Sequence, residues 1–472
     1  MKLLFRCTAL LVAALATSPA IVSAIDFSET NRSSDTLPGS VIPEDAKAAL
    51  FVNQAPRDIL SSDLKSPTPT PYPTSLTPVA TGVDSSAGGS WAGDNETREW
   101  TQQSEHIQYA IRSGKVPSRG VNLGSWLVTE NWMTADADVW KGLSPAQASA
   151  GEQTAFRNTP RDDAVSRFKW HRDNFITENE IAKIAKAGLN TVRVPVGYWI
   201  VGFDKHDFSG KKQWENYAPG GLEYLDRLIR VWAKKYNIAV LISMHAAKGS
   251  QNGADHSSPE EKDKSYWSSY WENLASTLDS VVFLADRYKN DAAFLGIGLL
   301  NEPGGTTSNT QLYKYYEDAY KLIRQDGGND CILTIAPLLW EQSADFMTQL
   351  LPGATNVWVE WHRYFVWGYE NASEEDLLNK YMTKFQDDVN AWKQKSDKKM
   401  FIGEFSFATA GKFQDQQRLK EFGQKQMDVM FNTVDGGWTF WSWRIYGDEN
   451  GVNPWSLRSL IRNGLFPAMP TN

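Results

Sequence analysis

Two apolar, strand-like runs in this chain close on glutamate: Gly298-Leu299-Leu300-Asn301-Glu302-Pro303 and Phe401-Ile402-Gly403-Glu404-Phe405. A carboxylate at the end of a buried strand is costly unless it is paired or chemically employed. Two carboxylates facing one another are what cleavage of a glycosidic bond requires. One protonates the leaving oxygen, and the other attacks the anomeric carbon or activates water. The elements that bring residues 302 and 404 together therefore decide the reading.

Strand-like runs recur at Gly120 to Leu127, Thr191 to Val196, Ile238 to His245, Phe294 to Glu302, Ile332 to Pro337, Asn356 to Trp361, Met400 to Phe405 and Gly437 to Trp443. Helical patterns lie between most of them. Thr177-Glu178-Asn179-Glu180 has the spacing of a capping box leading into Ile181, Ile184 and Ala185, and Leu222, Leu225, Leu228, Ile229 and Trp232 repeat at helical spacing. Eight strands alternating with helices predict an α/β fold, a (β/α)8 TIM barrel, whose chemistry gathers at the carboxyl ends of the strands. A doubly wound sheet is the other arrangement of such elements, but no Gly-rich phosphate loop follows the first strand.

At or just past those strand ends stand Arg193, His245, Asn301 with Glu302, His362 with Tyr364, Glu404, and Trp441. Singly, each has a plain structural reading: an ion pair inside the barrel, a hydrogen-bonded core histidine, a packed tryptophan. Together they predict one shared mouth.

The first 24 residues read as a secretory leader, with Lys2 and Arg6 before an apolar stretch from Leu10 to Ala16 and small residues Val22-Ser23-Ala24 at the cleavage point. That stretch is too short to span a bilayer. Residues 25–98 form a Pro/Ser/Thr-rich segment, including Ser66-Pro67-Thr68-Pro69-Thr70-Pro71, expected to be a disordered linker. Residues 99–472 are expected to be the catalytic domain. Asn31, Asn95 and Asn371 each begin a glycosylation sequon. Of the two cysteines, Cys7 lies in the leader, so Cys331 has no partner for an internal disulfide and is expected to be a buried thiol. Losing Lys2 and Arg6 lowers the 48 basic residues to 46 against 56 acidic, which argues against nucleic acid and anionic membranes as partners. Twenty tryptophans offer ring faces for sugars, although most are expected in the core.

The ordered set of motifs resembles glycoside hydrolase family 5, and within it the exo-β-1,3-glucanase group. The segments that carry the resemblance run from Arg119 to Pro467. They are Arg119-Gly120-Val121-Asn122-Leu123-Gly124-Ser125-Trp126-Leu127, His245 with Gly249-Ser250-Gln251-Asn252-Gly253, Leu300-Asn301-Glu302-Pro303, Ile402-Gly403-Glu404-Phe405, Gly437 to Trp443, and Asn463-Gly464-Leu465-Phe466-Pro467. The resemblance implies Glu302 as acid/base and Glu404 as nucleophile, with Arg193 and Tyr364 holding the nucleophile and Asn301 binding the sugar 2-hydroxyl. It further implies that His245 and His362 hydrogen-bond substrate and carboxylates, that Trp441 is the floor for the first sugar, and that Glu130 and Asp255 contact that sugar. In that group two Phe residues clamp the second sugar; here the matching positions are Ala254 and Trp367, His256 replaces an Asn, and Trp132 stands where Tyr is common. The expected partner is a β-glucan, acted on by a secreted or cell-wall monomer without metal or cofactor.

Two other classes fit a barrel. A carbohydrate-binding wall protein on a dead barrel would lack one of the glutamates, and both are present. A metal-dependent hydrolase would need clustered ligands, whereas His245 and His362 lie on separate strands.

Overall fold

Thr191–Gly197 and Ala239–Ala246 are buried along their whole length, as expected of parallel strands covered on both faces. They belong to a closed barrel of eight strands in chain order: β1 (Ser118–Asn122), β2 (Thr191–Gly197), β3 (Ala239–Ala246), β4 (Phe294–Gly298), β5 (Ile332–Ile335), β6 (Val357–His362), β7 (Lys399–Glu404) and β8 (Gly437–Phe440). Each pairs in parallel with the next, and β8 closes on β1 through Ser118↔Gly437 and Gly120↔Thr439. The computed structural model describes residues 106–469, so the leader, the linker, and the sequons at Asn31 and Asn95 lie outside the described residues.

Alternation along the strands sorts the core into two regions. Residues directed outward, such as Val240 and Ile242, pack with the surrounding helices in the main apolar cluster. The helix Trp271–Tyr288 turns Leu278, Val281 and Leu284 onto that cluster. The interior floor is apolar: Leu241, Leu295, Ile332, Trp358 and Phe401 pack with Ile111 of the helix Ile107–Arg112. Two residues further along the same strands the interior turns polar, with Ser243, Glu360 and Gly403 above Leu241, Trp358 and Phe401. The site is built on this change of layer.

Four strands are shorter than the sequence predicts, among them β5, which ends at Ile335 rather than Pro337. β1 ends at Asn122 and the chain has turned by Ser125, at φ 59°. β4 ends at Gly298, which leaves Glu302 in the following loop at φ 44°. β8 ends at Phe440, with a cis Trp441–Ser442 peptide beyond it. Thr177 does occupy the N-cap of Glu178–Lys186, but its side chain makes no capping bond. Glu180 instead accepts from Lys183 and from the Trp443 indole, both at 2.7 Å. Asn371 is exposed, and Ser373 of its sequon caps the next helical turn. Cys331 is a buried free thiol. Among the described residues no helix is long and apolar enough to cross a membrane.

Candidate active site

Arg193 is the third residue of β2, within the strand rather than at the end where the sequence reading put it, and only 1% of it is exposed. Its guanidinium rises along the barrel axis into a ring of acceptors. Nη1 donates to Asn122 Oδ1 at 2.8 Å and Glu404 Oε1 at 2.9 Å, and Nη2 donates to Asn301 Oδ1 at 2.6 Å. Nη2 also pairs with Glu360 Oε1 at 2.8 Å. One buried cation thus orders residues from four other strands or the loops that follow them.

Glu404 ends β7, and its second oxygen accepts from the Tyr364 hydroxyl at 2.8 Å. A register shift between Trp361 and His362 sets His362 opposite Glu404 and re-aims the side chains there, as bulges do. His362 Nδ1 lies 2.7 Å from Glu302 Oε1 and 3.5 Å from Glu404 Oε2, and Nε2 lies 3.1 Å from Glu360 Oε1. Glu302 and Glu404 each bring a carboxylate oxygen within 4.8 Å of the other and of a His362 nitrogen. A non-glycine residue at positive φ is uncommon and clusters at functional sites. The turn at Glu302 is held by Gln251, whose amide donates to His245 O at 2.7 Å and Asn301 O at 2.8 Å.

The remaining predicted residues surround this core. The ring of Trp441 stacks on His245, with centroids 5.4 Å apart and planes within 5°, and His245 Nδ1 meets Ser243 Oγ at 3.3 Å. Glu130, Asp255 and His256 each bring one polar atom within 4.8 Å of the others. The Trp132 indole donates to Glu130 Oε2 at 2.8 Å, while Glu130 Oε1 has no protein partner. Asn301 Nδ2 is likewise buried without one. Trp367 meets Tyr364 at 5.6 Å and Trp455 at 6.1 Å between centroids, and Trp455 meets Trp132 at 5.2 Å, which makes one aromatic wall. The trios Glu130–Asp255–His256 and Glu302–His362–Glu404 are the sets among the described residues whose donor atoms cluster closely enough for a metal ion. In the second trio those atoms already bond to one another, to Arg193 and to Tyr364.

Burial works to raise every carboxyl in this mouth, and neighbouring charges decide the outcome. Against burial, Arg193 and the His362 hydrogen bond hold Glu360 down to about 2. Burial leaves Glu404 above the ordinary range despite His362 and Arg193. Glu302 is buried too, yet hydrogen bonds from His256 and His362 hold it well below the usual range. Burial and the nearby Asp255 push Glu130 up to about 8. His362, which burial alone would lower, is lifted to about 10 by Glu404, Glu302 and Glu360. His245, buried beside Arg193, is pushed well down and stays neutral. These directions make Glu302 the more readily ionised of the two carboxyls, opposite in order to the expectation that Glu302 is the one that keeps its proton. The reason is that both histidines lean on Glu302.

Sequence reasoning missed Glu360, Asn122 and the contact of His256 with Glu302. Glu360 carried a usable signal, as the one acidic residue in Val357-Trp358-Val359-Glu360-Trp361-His362, two positions before His362 and so on the same strand face. Gly403 marks it from the other side: a Cβ there would fall 1.9 Å from Glu360 Oε1.

A closed parallel barrel with two carboxylates across its mouth, one paired with arginine and tyrosine, defines a retaining glycoside hydrolase. Residues 148–447 match the family described as Cellulase (glycosyl hydrolase family 5), and the chain belongs to that family. The "Probable glucan 1,3-beta-glucosidase A" of Aspergillus fumigatus is 30% identical over 397 residues, covering 75% of this chain and 88% of that protein. A "Glucan 1,3-beta-glucosidase" of Blumeria graminis is 27% identical over 407 residues, covering 77% of this chain and 89% of the relative. The rutinosidase from Aspergillus niger shares the fold, with a TM-score of 0.62 over 75% of this chain and 99% of that one at 17% identity.

Proposed function

We propose that the protein is a secreted glucan exo-1,3-β-glucosidase that releases glucose from β-1,3-glucan by double displacement, with Glu404 as nucleophile and Glu302 as acid/base. The observation that carries the mechanism is the approach of the two carboxylates to within 4.8 Å. That is the close spacing of carboxyls that act directly on the sugar, with no room for an intervening water. The β-1,3 linkage and the exo mode draw on the names of the relatives, and secretion draws on the leader-like residues 1–24.

In the first step Glu404 Oε2 or Oε1 bonds to the anomeric carbon as the bond to the leaving oxygen breaks, and Glu302 delivers a proton to that oxygen. In the second, Glu302 removes a proton from water, and the water displaces the glucosyl group from Glu404. Arg193 and Tyr364 carry the charge that returns to Glu404. The free Asn301 Nδ2 is placed to donate to the 2-hydroxyl, a bond that strengthens toward the transition state. Glu130 and Asp255 supply acceptors for other hydroxyls of the same sugar, Trp441 is its floor, and Trp367 faces the leaving sugar. Because the histidines hold Glu302 ionised at rest, the acid proton reaches Glu302 from an imidazole.

The test is product analysis on β-1,3-, β-1,4- and β-1,6-linked oligosaccharides. Glucose alone from the β-1,3 chain is the expected result. A ladder of oligosaccharides overturns the exo mode in favour of an endo-glucanase, longer products point to a transglycosylase, and no product at all points to a binding protein.

A further inference from the structure

Each oxygen of Glu302 meets its own imidazole: Oε1 lies 2.7 Å from His362 Nδ1, and Oε2 lies 3.2 Å from His256 Nε2. The two histidines are not equivalent. His362 turns its other nitrogen to Glu360, an ionised carboxylate, so that nitrogen must carry hydrogen. His256 is governed by Asn252. The Asn252 Oδ1 accepts from Ala254 N at 3.0 Å, which fixes the amide orientation and makes Nδ2 the donor. Its two hydrogens point to Glu302 O at 3.1 Å and His256 Nε2 at 2.9 Å. A ring nitrogen that takes a hydrogen from Asn252 has none of its own to give. In that state the shared proton sits on Oε2, O–H···N, as it must when Glu302 acts as the acid. With the proton on Nε2, as at rest, the same contact is an ion pair set against the Asn252 hydrogen.

Taking Glu302 as the acid/base, as proposed above, we infer that His256 is a positioning residue that shares one catalytic proton with Glu302, and that Asn252 biases this proton toward the carboxyl. The proton has no other place to rest within the pair, so the pair acts as a single acid. The charges around it favour keeping the proton. Glu130 and Asp255 lie beside His256, Glu404 faces Glu302 across the mouth, and Glu360 stands behind His362. Opposing them are Arg193, inside the barrel, and His362, whose Nδ1 lies 2.7 Å from the other oxygen of Glu302; the neutral His245 ring lies 5.5 Å from that of His256. Burial alone would lower His256, but Glu302, Glu130 and Asp255 lift it to about 9.

The consequence is an alkaline limb of kcat/KM that belongs to the pair. On an unactivated β-1,3-linked oligosaccharide, His256→Asn is expected to move that limb toward lower pH by about one unit. Asn252→Ala, which frees Nε2 to hold the proton, is expected to move it the other way. An aryl β-glucoside with an acidic phenol needs no proton on its leaving oxygen. Turnover of that substrate, with a thermal melt, reports that each variant is folded. A limb that stays in place in folded His256→Asn overturns the inference, and so does a shift of the same sign in both variants. Glu302→Ala separates this outcome from failure of the underlying reading. If it cleaves the unactivated oligosaccharide as well as the wild type does, Glu302 is not the acid/base; if it loses only that substrate, the role stands and the sharing alone is in question.

Discussion

Glu360 Oε1 lies 2.8 Å from Arg193 Nη2 inside the barrel, where neither side chain is more than 4% exposed. Arg193 therefore spans two carboxylates, Glu360 and Glu404, and the first fixes the guanidinium that orients the second. Truncating one member of a buried ion pair leaves the other desolvated and short of charge. Glu360→Gln is expected to cost ~3 kcal/mol in unfolding free energy and to lower kcat through Glu404. A chemical denaturation series shows whether it does. The sign of the pH dependence follows from a folded pKa near 2. The contribution of Glu360 is complete above the unfolded value near ~4.3 and is lost as pH falls from there toward 2, so the wild type and Glu360→Gln should converge in acid.

The two glutamates differ in what they do for a leaving group. Glu404→Gln is expected to abolish turnover of every substrate, since no bond to the anomeric carbon can form. Glu302→Ala is expected to lose unactivated glucan but still react with a dinitrophenyl β-glucoside, and added azide should restore turnover by replacing the water that now lacks a base. Equal loss on both substrates in Glu302→Ala would mean that the two roles are misassigned.

The sequence reveals the barrel because long buried strands leave a plain apolar signature, and it reveals Glu302 and Glu404 because each interrupts that signature. It places Arg193 at a strand end, whereas the residue lies a full layer deeper. A hydrophobic run shows where a strand exists, but not where the interior turns polar. It hides Glu360 because an acidic residue flanked by Trp358, Trp361 and His362 reads as part of a mixed strand until Arg193 supplies the counter-charge. The Glu302–His256 contact joins two loops from different strands, and no spacing along the chain encodes it.

A second pH dependence lies outside the mouth. His171 is buried, its Nε2 meets Ser125 O at 2.7 Å, and its ring stacks on Phe175 at 4.9 Å. Burial pushes its pKa down to about 4, with Arg172 and Arg444 acting in the same direction. The folded protein thus keeps His171 neutral, while the unfolded chain takes up a proton near ~6.5. Stability is full above that value and falls as pH drops from 6.5 toward 4, by roughly 3 kcal/mol at most for this residue. His171→Phe keeps the stacking without a titrating group. Its melting temperature should be flatter across that window than the wild type's. Parallel curves for the two proteins would show that His171 does not carry the effect.

The last prediction concerns the leaving sugar. Trp367 is half-buried in the wall it forms with Tyr364 and Trp455, and Tyr364 also donates to Glu404, so this ring stands beside the nucleophile. On the loop that carries Asp255 and His256, the half-buried Ala254 offers no ring to answer it. A sugar stacked on an aromatic face gains on the order of 1 kcal/mol, the scale of other specific aromatic contacts. Trp367→Ala should therefore lose about fivefold in kcat/KM on a β-1,3-linked disaccharide, and Ala254→Phe should gain a similar factor. Both changes should be much smaller on an aryl β-glucoside, whose leaving group is a flat ring of another shape. Steady-state kinetics on the two substrates give the comparison. If Trp367→Ala weakens the disaccharide but Ala254→Phe changes neither substrate, the loop from Gly249 to His256 does not face the leaving sugar, and the second subsite is formed by the Trp367–Trp455–Trp132 wall alone.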